Sequence, residues 1–385
     1  MIAASRKLGL LPPYPFAELE RKQAALKAAG KDVISLGIGD PETLPPDFIL
    51  EAAAESLRRP GIHMYSPTHG SAEFLDAVSA WVDARFGVSV KPIEEICLCV
   101  GTKEAIAHAP LALADPGDTV IFPDPGYPPY RSGTIFAGAE PYVLPLTAER
   151  GFLPDLGAIP DAVLRRTRLL FLNYPNNPTG ATAPEGFFRD AVALARKHGF
   201  LLCHDAAYIE IYYERKPPSI LSIPGAKEVA IEFHSLSKTM SMPGWRIGWV
   251  MGNATAVAAL RSLKANFDSG VSMALQAAVA AGFRRGDDVL APVRAMYRSR
   301  RDRVVDALRA LGWDVPKPEA SFYLWFRPPG GLPAERFVER ALEEAHVVMT
   351  PGRAFGEAGA PFVRISLTVP EDRLQEAMRR LARIR

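Results

Sequence analysis

Short apolar runs and amphipathic stretches alternate through the middle of the chain. Residues 95–101 (EICLCVG) form a short apolar segment, and 102–114 follow with helical composition. Residues 119–122 (TVIF) and 142–146 (YVLPL) have strand character, and 168–173 (RLLFLN) is a nearly continuous apolar run. Such a run is expected of a strand covered on both faces. An amphipathic helix is expected over 186–198, then strands over 200–203, 229–233 and 245–250. Alternation of this kind builds a mostly parallel sheet covered by helices, an α/β fold. The texture changes after about residue 284. A long Arg-rich helix over 292–311 precedes strands at 321–326, 347–349 and 362–367, with helices at 334–345 and from 371 onward. This second region reads as a smaller α+β unit. The first 45 residues lack the strand–helix rhythm and are expected to pack with it, leaving 46–283 as the large unit and 1–45 plus 284–385 as the small one.

Composition narrows the picture. The 385 residues include 35 prolines, about 9% against roughly 5% on average. With 48% hydrophobic and 23% charged residues the chain can still offset its conformational entropy, so the prolines belong to a folded protein. A net charge of +2 gives no reason to expect nucleic acid or an anionic membrane as partner. The longest uncharged run, 169–184, is interrupted by asparagines and prolines and is shorter than the about 20 apolar residues of a membrane span. The first residues make a poor signal peptide, so a cytoplasmic protein is expected. The three cysteines, Cys97, Cys99 and Cys203, all sit in strand-like runs and read as structural, and no metal site is expected.

Four segments carry candidate chemistry. In 235–248 (SLSKTMSMPGWRIG), hydroxyls and an arginine suit a phosphate, and Lys238 reads either as a further cation or as a nucleophile that forms an imine. In 200–208 (FLLCHDAAY), Asp205 lies just past a buried strand, where open α/β sheets bind ligands and where a turn aspartate is also common. Gly101, Thr102 and Lys103 occupy a strand-to-helix junction, a natural anion site. The fourth, 173–180 (NYPNNPTG), is a turn too rich in Asn and Pro for a regular element. Together they meet the needs of pyridoxal 5'-phosphate: an amine for its aldehyde, a cradle for its phosphate, and a carboxylate that keeps its ring nitrogen protonated.

NYPNNPTG, SLSKTMSMPGWRIG and FVRISL occur in an order and spacing that resemble the class I/II aminotransferases of fold type I, nearly end to end. LPPYPFAELE, LGIGDPETLPP, GTKEAIAH, DPGYPPY and CHDAAY look closest to the bacterial branch of LL-diaminopimelate and aspartate aminotransferase-like enzymes. Residues 239–243 read TMSMP where that branch more often has Tyr-Asn-Met-Thr. The resemblance implies a seven-stranded, mixed and mostly parallel sheet between helices, with a small α+β domain. It implies that Lys238 holds the cofactor as an internal aldimine and shuttles the proton of a 1,3-prototropic shift. Asp205 would pair with the pyridine nitrogen, Tyr208 would bond the ring hydroxylate, and Tyr127 would stack on the ring. Asn177 would contact ring oxygen and substrate. Ser235, Ser237, Arg246, Gly101 and Thr102 would cradle the phosphate, and Tyr65 would reach the phosphate of a neighbouring subunit, which requires a homodimer. Arg364 would clamp the substrate α-carboxylate beside the Gly39 backbone, with Tyr14 and Lys103 at positions that touch substrate or cofactor.

The reaction implied is transfer of an amino group between an L-amino acid and a 2-oxo acid, with glutamate and 2-oxoglutarate as one pair and LL-diaminopimelate or aspartate as candidates for the other substrate. A carbon–sulfur β-lyase on the same scaffold is the alternative, since the same lysine would serve it. A regulator built on this scaffold would carry a DNA-binding extension, which the charge and the early start of the large unit argue against. The prolines cluster beside the candidate residues: Pro123, Pro125, Pro128 and Pro129 around Tyr127, Pro175 and Pro178 around Asn177, and Pro243 between Lys238 and Arg246. They suggest rigid walls for one site, and the resemblance adds a cis bond before Pro178.

Overall fold

The computed structural model describes residues 3–11 and 15–384. Its strands are β1 (Ile34–Ser35), β2 (Ile96–Cys99), β3 (Thr119–Asp124), β4 (Glu140–Pro145), β5 (Thr167–Asn173), β6 (Leu201–Asp205), β7 (Ala230–Ser235), β8 (Gly248–Gly252), β9 (Tyr323–Phe326), β10 (Val347–Val348), β11 (Thr350–Pro351) and β12 (Val363–Ser366). Seven of them form the central sheet in the order β2-β8-β7-β6-β5-β3-β4. β8 runs antiparallel to both β2 and β7, and the other pairs are parallel. β5 is apolar at consecutive positions, and Leu169, Leu170, Phe171 and Leu172 are all buried, because helices cover both faces of the sheet.

The covering helices follow helical periodicity. In Glu185–His198 the buried positions Phe188, Ala191, Val192 and Ala195 recur every three to four residues, and Gly199 ends the helix with a left-handed φ of 74°. Helix Ala72–Phe86 opens on Ser71, whose side chain accepts from the Phe74 N–H.

Two expectations shift. Residues 243–247 are not strand: Pro243–Trp245 is a 3-10 turn and Arg246 has φ 56°, so β8 begins only at Gly248. The long helix starts at Asp287 rather than 292 and carries Pro292 inside it. Asp287 and Asp288 supply its acidic first turn, and Asp287 pairs with Arg294 at 2.8 Å.

The remaining strands form two small sheets, β11-β12-β9 (antiparallel) and β1-β10 (parallel). The N-terminal segment thus joins the C-terminal region through Ile34↔Val347. One large apolar cluster lies between Ile49 and Leu290. Another joins Ile34 and Leu36 to residues from Tyr297 to Leu381, with Ala207–Tyr213 reaching into it from the central sheet. The ends of β5, β6 and β7 and the strand β12 border the crevice between these clusters. Among the described residues, no helix is long and apolar enough to cross a membrane.

Candidate active site

The site is built at the carboxyl ends of three parallel strands. β7 ends at Ser235, whose hydroxyl accepts from the Ser237 N–H at 3.2 Å and opens the short helix Leu236–Thr239. Lys238 sits on that helix, and its Nζ donates to the Gly39 carbonyl at 2.5 Å. Burial pulls the Lys238 ammonium down to about 8; Asp40 opposes the drop, while Arg364 and Arg246 add to it. An amine held there is far more nucleophilic near neutrality than an ordinary lysine.

Asp205 closes β6, paired in register with Asn173 at the end of β5. Its carboxylate is buried and accepts from the Tyr130 hydroxyl at 2.7 Å and the Ala207 N–H at 3.2 Å. Burial pushes its carboxyl upward against those two hydrogen bonds. Asn173 donates to the Asp205 carbonyl at 2.8 Å, and its Oδ1 accepts from the Asn177 N–H at 2.8 Å, which ties the Asn-Pro turn to the strand ends. Peptide bonds 124–125, 174–175 and 177–178 are cis, the last as the resemblance implied.

The cationic end is assembled around Gly101. This residue has φ 73° and precedes helix Thr102–Leu113. A Cβ at Gly101 would lie 2.2 Å from Arg246 Nη2 as the guanidinium stands, and the left-handed φ itself favours glycine, so this residue leaves room for the guanidinium beside that helix start. Arg246 takes a left-handed backbone, rarely seen for a side-chain-bearing residue, and donates to the Pro243 carbonyl at 2.7 Å. Thr102, Ser235 and Ser237 bring hydroxyls to the same end.

At the opposite side, β12 presents Arg364. It is buried and donates to Asn177 Oδ1 at 2.8 Å and to the Gly37 carbonyl at 2.6 Å. Its guanidinium carbon lies 4.1 Å from the Tyr323 ring centroid and 4.5 Å from that of Phe355. Burial lowers its affinity for a proton.

A cleft of about 620 Å³ joins these groups, lined by Gly39, Thr102, Lys103, Tyr127, Asn177, Asp205, Tyr208, Ser235, Ser237, Lys238, Arg246 and Arg364. Gly101 stands behind Arg246 rather than on the wall. Tyr65 is 85% exposed and lies away from this chain's cleft. Tyr14 lies outside the described residues. Among the described residues, Pro243 is the proline on the cleft wall, whereas Pro123 and Pro128 line a neighbouring hollow behind Tyr127. The wall also holds Asp40, Tyr323 and Phe355, which sequence reasoning passed over, as it did Tyr130 behind Asp205. Tyr323 and Phe355 sit in apolar runs that read as core. Only the doubled tyrosine of GYPPY could have signalled Tyr130.

The donor set fits pyridoxal 5'-phosphate. A low-proton-affinity amine, a buried carboxylate and a guanidinium–hydroxyl cradle shaped by the missing Cβ of Gly101 meet its aldehyde, ring nitrogen and phosphate in turn. The comparisons agree. Residues 31–381 match the family model "Aminotransferase class I and II". An LL-diaminopimelate aminotransferase of Desulforudis audaxviator is 51% identical over 378 residues, 98% of this chain and 96% of its own. Among solved structures, apo BacF of Bacillus subtilis superposes with a TM-score of 0.96 at 35% identity, covering 100% of this chain and 98% of that one. A Thermus thermophilus aspartate aminotransferase mutant gives 0.93 at 30% identity, covering 100% of both chains. The lyase alternative gains nothing from these relatives. The chain belongs to the class I and II aminotransferases and is a pyridoxal 5'-phosphate-dependent transaminase.

Proposed function

We propose that this transaminase acts on LL-diaminopimelate, in lysine biosynthesis, with glutamate and 2-oxoglutarate as its other amino acid–oxo acid pair. The observation that carries the choice is the near-full-length identity to enzymes named for that substrate, 51% in the relative above.

When bound, pyridoxal 5'-phosphate supplies an aldehyde that takes the amino group and a ring that delocalises the electrons left by the departing α-proton. The residues then divide the work. Lys238 Nζ would hold the cofactor, and its lowered proton affinity suits it as the base that would take and return the substrate's α-proton. Asp205, aimed by Tyr130 and Ala207, holds a proton on the ring nitrogen. Tyr208 would donate to the ring oxygen, and Tyr127 would cover the ring face, both from the cleft wall. Arg246, Ser235, Ser237, Thr102 and the Gly101 backbone hold the phosphate, with Lys103 beside them. Arg364 gives the substrate α-carboxylate paired, charge-assisted hydrogen bonds, and Asn177 and the Gly37 carbonyl keep it in place. Gly39 belongs to the same substrate end, and Tyr14 would be a further substrate contact.

In this reading the large unit (46–283) holds the cofactor and the small unit (1–45 with 284–385) brings Arg364 across the substrate. The working form is a cytoplasmic homodimer in which the exposed Tyr65 reaches the partner's site. A half-reaction screen tests the substrate. Cofactor-loaded protein mixed with LL-diaminopimelate should convert rapidly to the aminated cofactor, as seen in its absorbance, and 2-oxoglutarate should restore the starting spectrum. Faster conversion by aspartate, or by an aromatic amino acid, would reject LL-diaminopimelate as the substrate.

A further inference from the structure

Tyr323, on β9, touches three parts of the site at once. Its hydroxyl lies 3.0 Å from the Tyr208 hydroxyl, and its ring backs the Arg364 guanidinium at 4.1 Å. The same hydroxyl packs over Gly39, where a Cβ would lie only 1.9 Å away. Tyr323 and Arg364 share a face of the small antiparallel sheet, because Tyr323 pairs with Ser366, two residues along β12. The side chain is 2% exposed, and its ring meets those of Tyr208 and Phe322 edge-on, which fixes its orientation.

We propose that Tyr323 is a positioning residue for transamination, its ring backing Arg364 and its hydroxyl donating to the Tyr208 oxygen so that the Tyr208 proton faces the cofactor. The proposal rests on the reading of Arg364 and Tyr208 given above. A phenol carries one proton and can accept at its oxygen. One proton occupies the contact between the two hydroxyls. Were it Tyr208's, Tyr208 would have none left for the ring oxygen. With Tyr323 as donor, both needs are met, and a hydroxyl that accepts one hydrogen bond donates a stronger one, by about 10–30%. The charged groups facing this pair are Asp205 at the end of β6 and Arg364 on β12. Lys238, on the helix after β7, faces Asp40, Arg364 and Arg246.

The test uses the cofactor-loaded enzyme with Tyr323→Phe and Tyr323→Leu. Tyr208 donation favours the anionic ring oxygen and hence the deprotonated lysine–cofactor linkage. Weakening it should raise the pH midpoint of the bound cofactor's absorbance by roughly 0.3 unit in Tyr323→Phe. The KM for the amino acid should stay within about twofold, because the ring remains against Arg364. Tyr323→Leu should show the same spectral shift and also a rise in KM of roughly tenfold, from loss of the ring–guanidinium contact. A Tyr323→Phe midpoint at or below that of the wild type overturns the hydroxyl role, and an unchanged KM in Tyr323→Leu overturns the ring role. In both cases the cofactor reading stands if Lys238→Ala abolishes the band. If the band survives Lys238→Ala unchanged, the cofactor reading falls and the proposal falls with it.

Discussion

Lys238 shows how much one side chain owes to its surroundings. Its amine is drawn down to about 8 from 10.5 by burial, with nearby guanidiniums adding to the drop and Asp40 resisting it. The free amine, not the ammonium, attacks an aldehyde. The rate at which cofactor-free protein takes up pyridoxal 5'-phosphate should therefore climb roughly tenfold per pH unit below the midpoint and level off above about 8. Asp40→Asn should move that midpoint lower, because the carboxylate favours the ammonium. A loading rate that keeps rising to the ordinary lysine range would contradict the burial of this amine. Lys238, Asp205 and Arg246 were legible in the sequence because charged groups among apolar strand ends are chemically conspicuous. Tyr323, Tyr130 and Phe355 were not, since an aromatic residue in an apolar run is ordinarily core.

At the scale of elements, a buried charge cluster joins the two strands that lead to Asp205 and Lys238. Glu232 on β7 is 0% exposed and accepts from Ser219 Oγ at 2.8 Å and the Ile220 N–H at 2.8 Å. It faces His204 on β6 at 2.9 Å and His234 at 2.7 Å, and His234 stacks on Trp249 of β8. His204 also meets the Tyr174 carbonyl at 3.0 Å, just ahead of the turn that presents Asn177. Burial pushes the Glu232 carboxyl upward, but the hydrogen bonds and charge of the two histidines together hold it well below its usual range. A carboxylate so depressed stabilises the fold fully above the ordinary glutamate range, about pH 4.3, and that contribution drains away as pH falls below it. Glu232→Gln should cost about 3–5 kcal/mol at neutral pH by leaving buried partners unmatched, and should flatten the acid limb of the stability profile. Thermal denaturation followed across pH measures both effects, and an unchanged neutral midpoint would count against the cluster as a brace. The elements themselves were largely legible from periodicity. The strand expected at 245–250 was one exception, because the left-handed turn at Arg246 that aims its guanidinium is invisible to an apolar pattern.

For the whole molecule the test is complementation. If Tyr65 completes the partner's site, Lys238→Ala and Tyr65→Ala subunits, each nearly inactive alone, should regain activity when mixed and allowed to exchange. Each mixed dimer then holds one site with both residues intact. A mixture no more active than the sum of its parts would mean that each chain works alone. The sequence by itself determined which chemistry the chain carries and along which strands it lies, because those signals are local: period-two and period-3.6 burial, strand-end carboxylates, and a lysine among hydroxyls. Only the tertiary structure decided which distant residues meet. Lys238 finds the carbonyl of Gly39, 199 positions away, and Arg364 that of Gly37, 327 positions away. Tyr323 closes over a glycine that has no side chain to oppose it. Local pattern says which face of an element is buried. It does not say what buries it, because that choice rests on many weak contacts satisfied together across the folded chain.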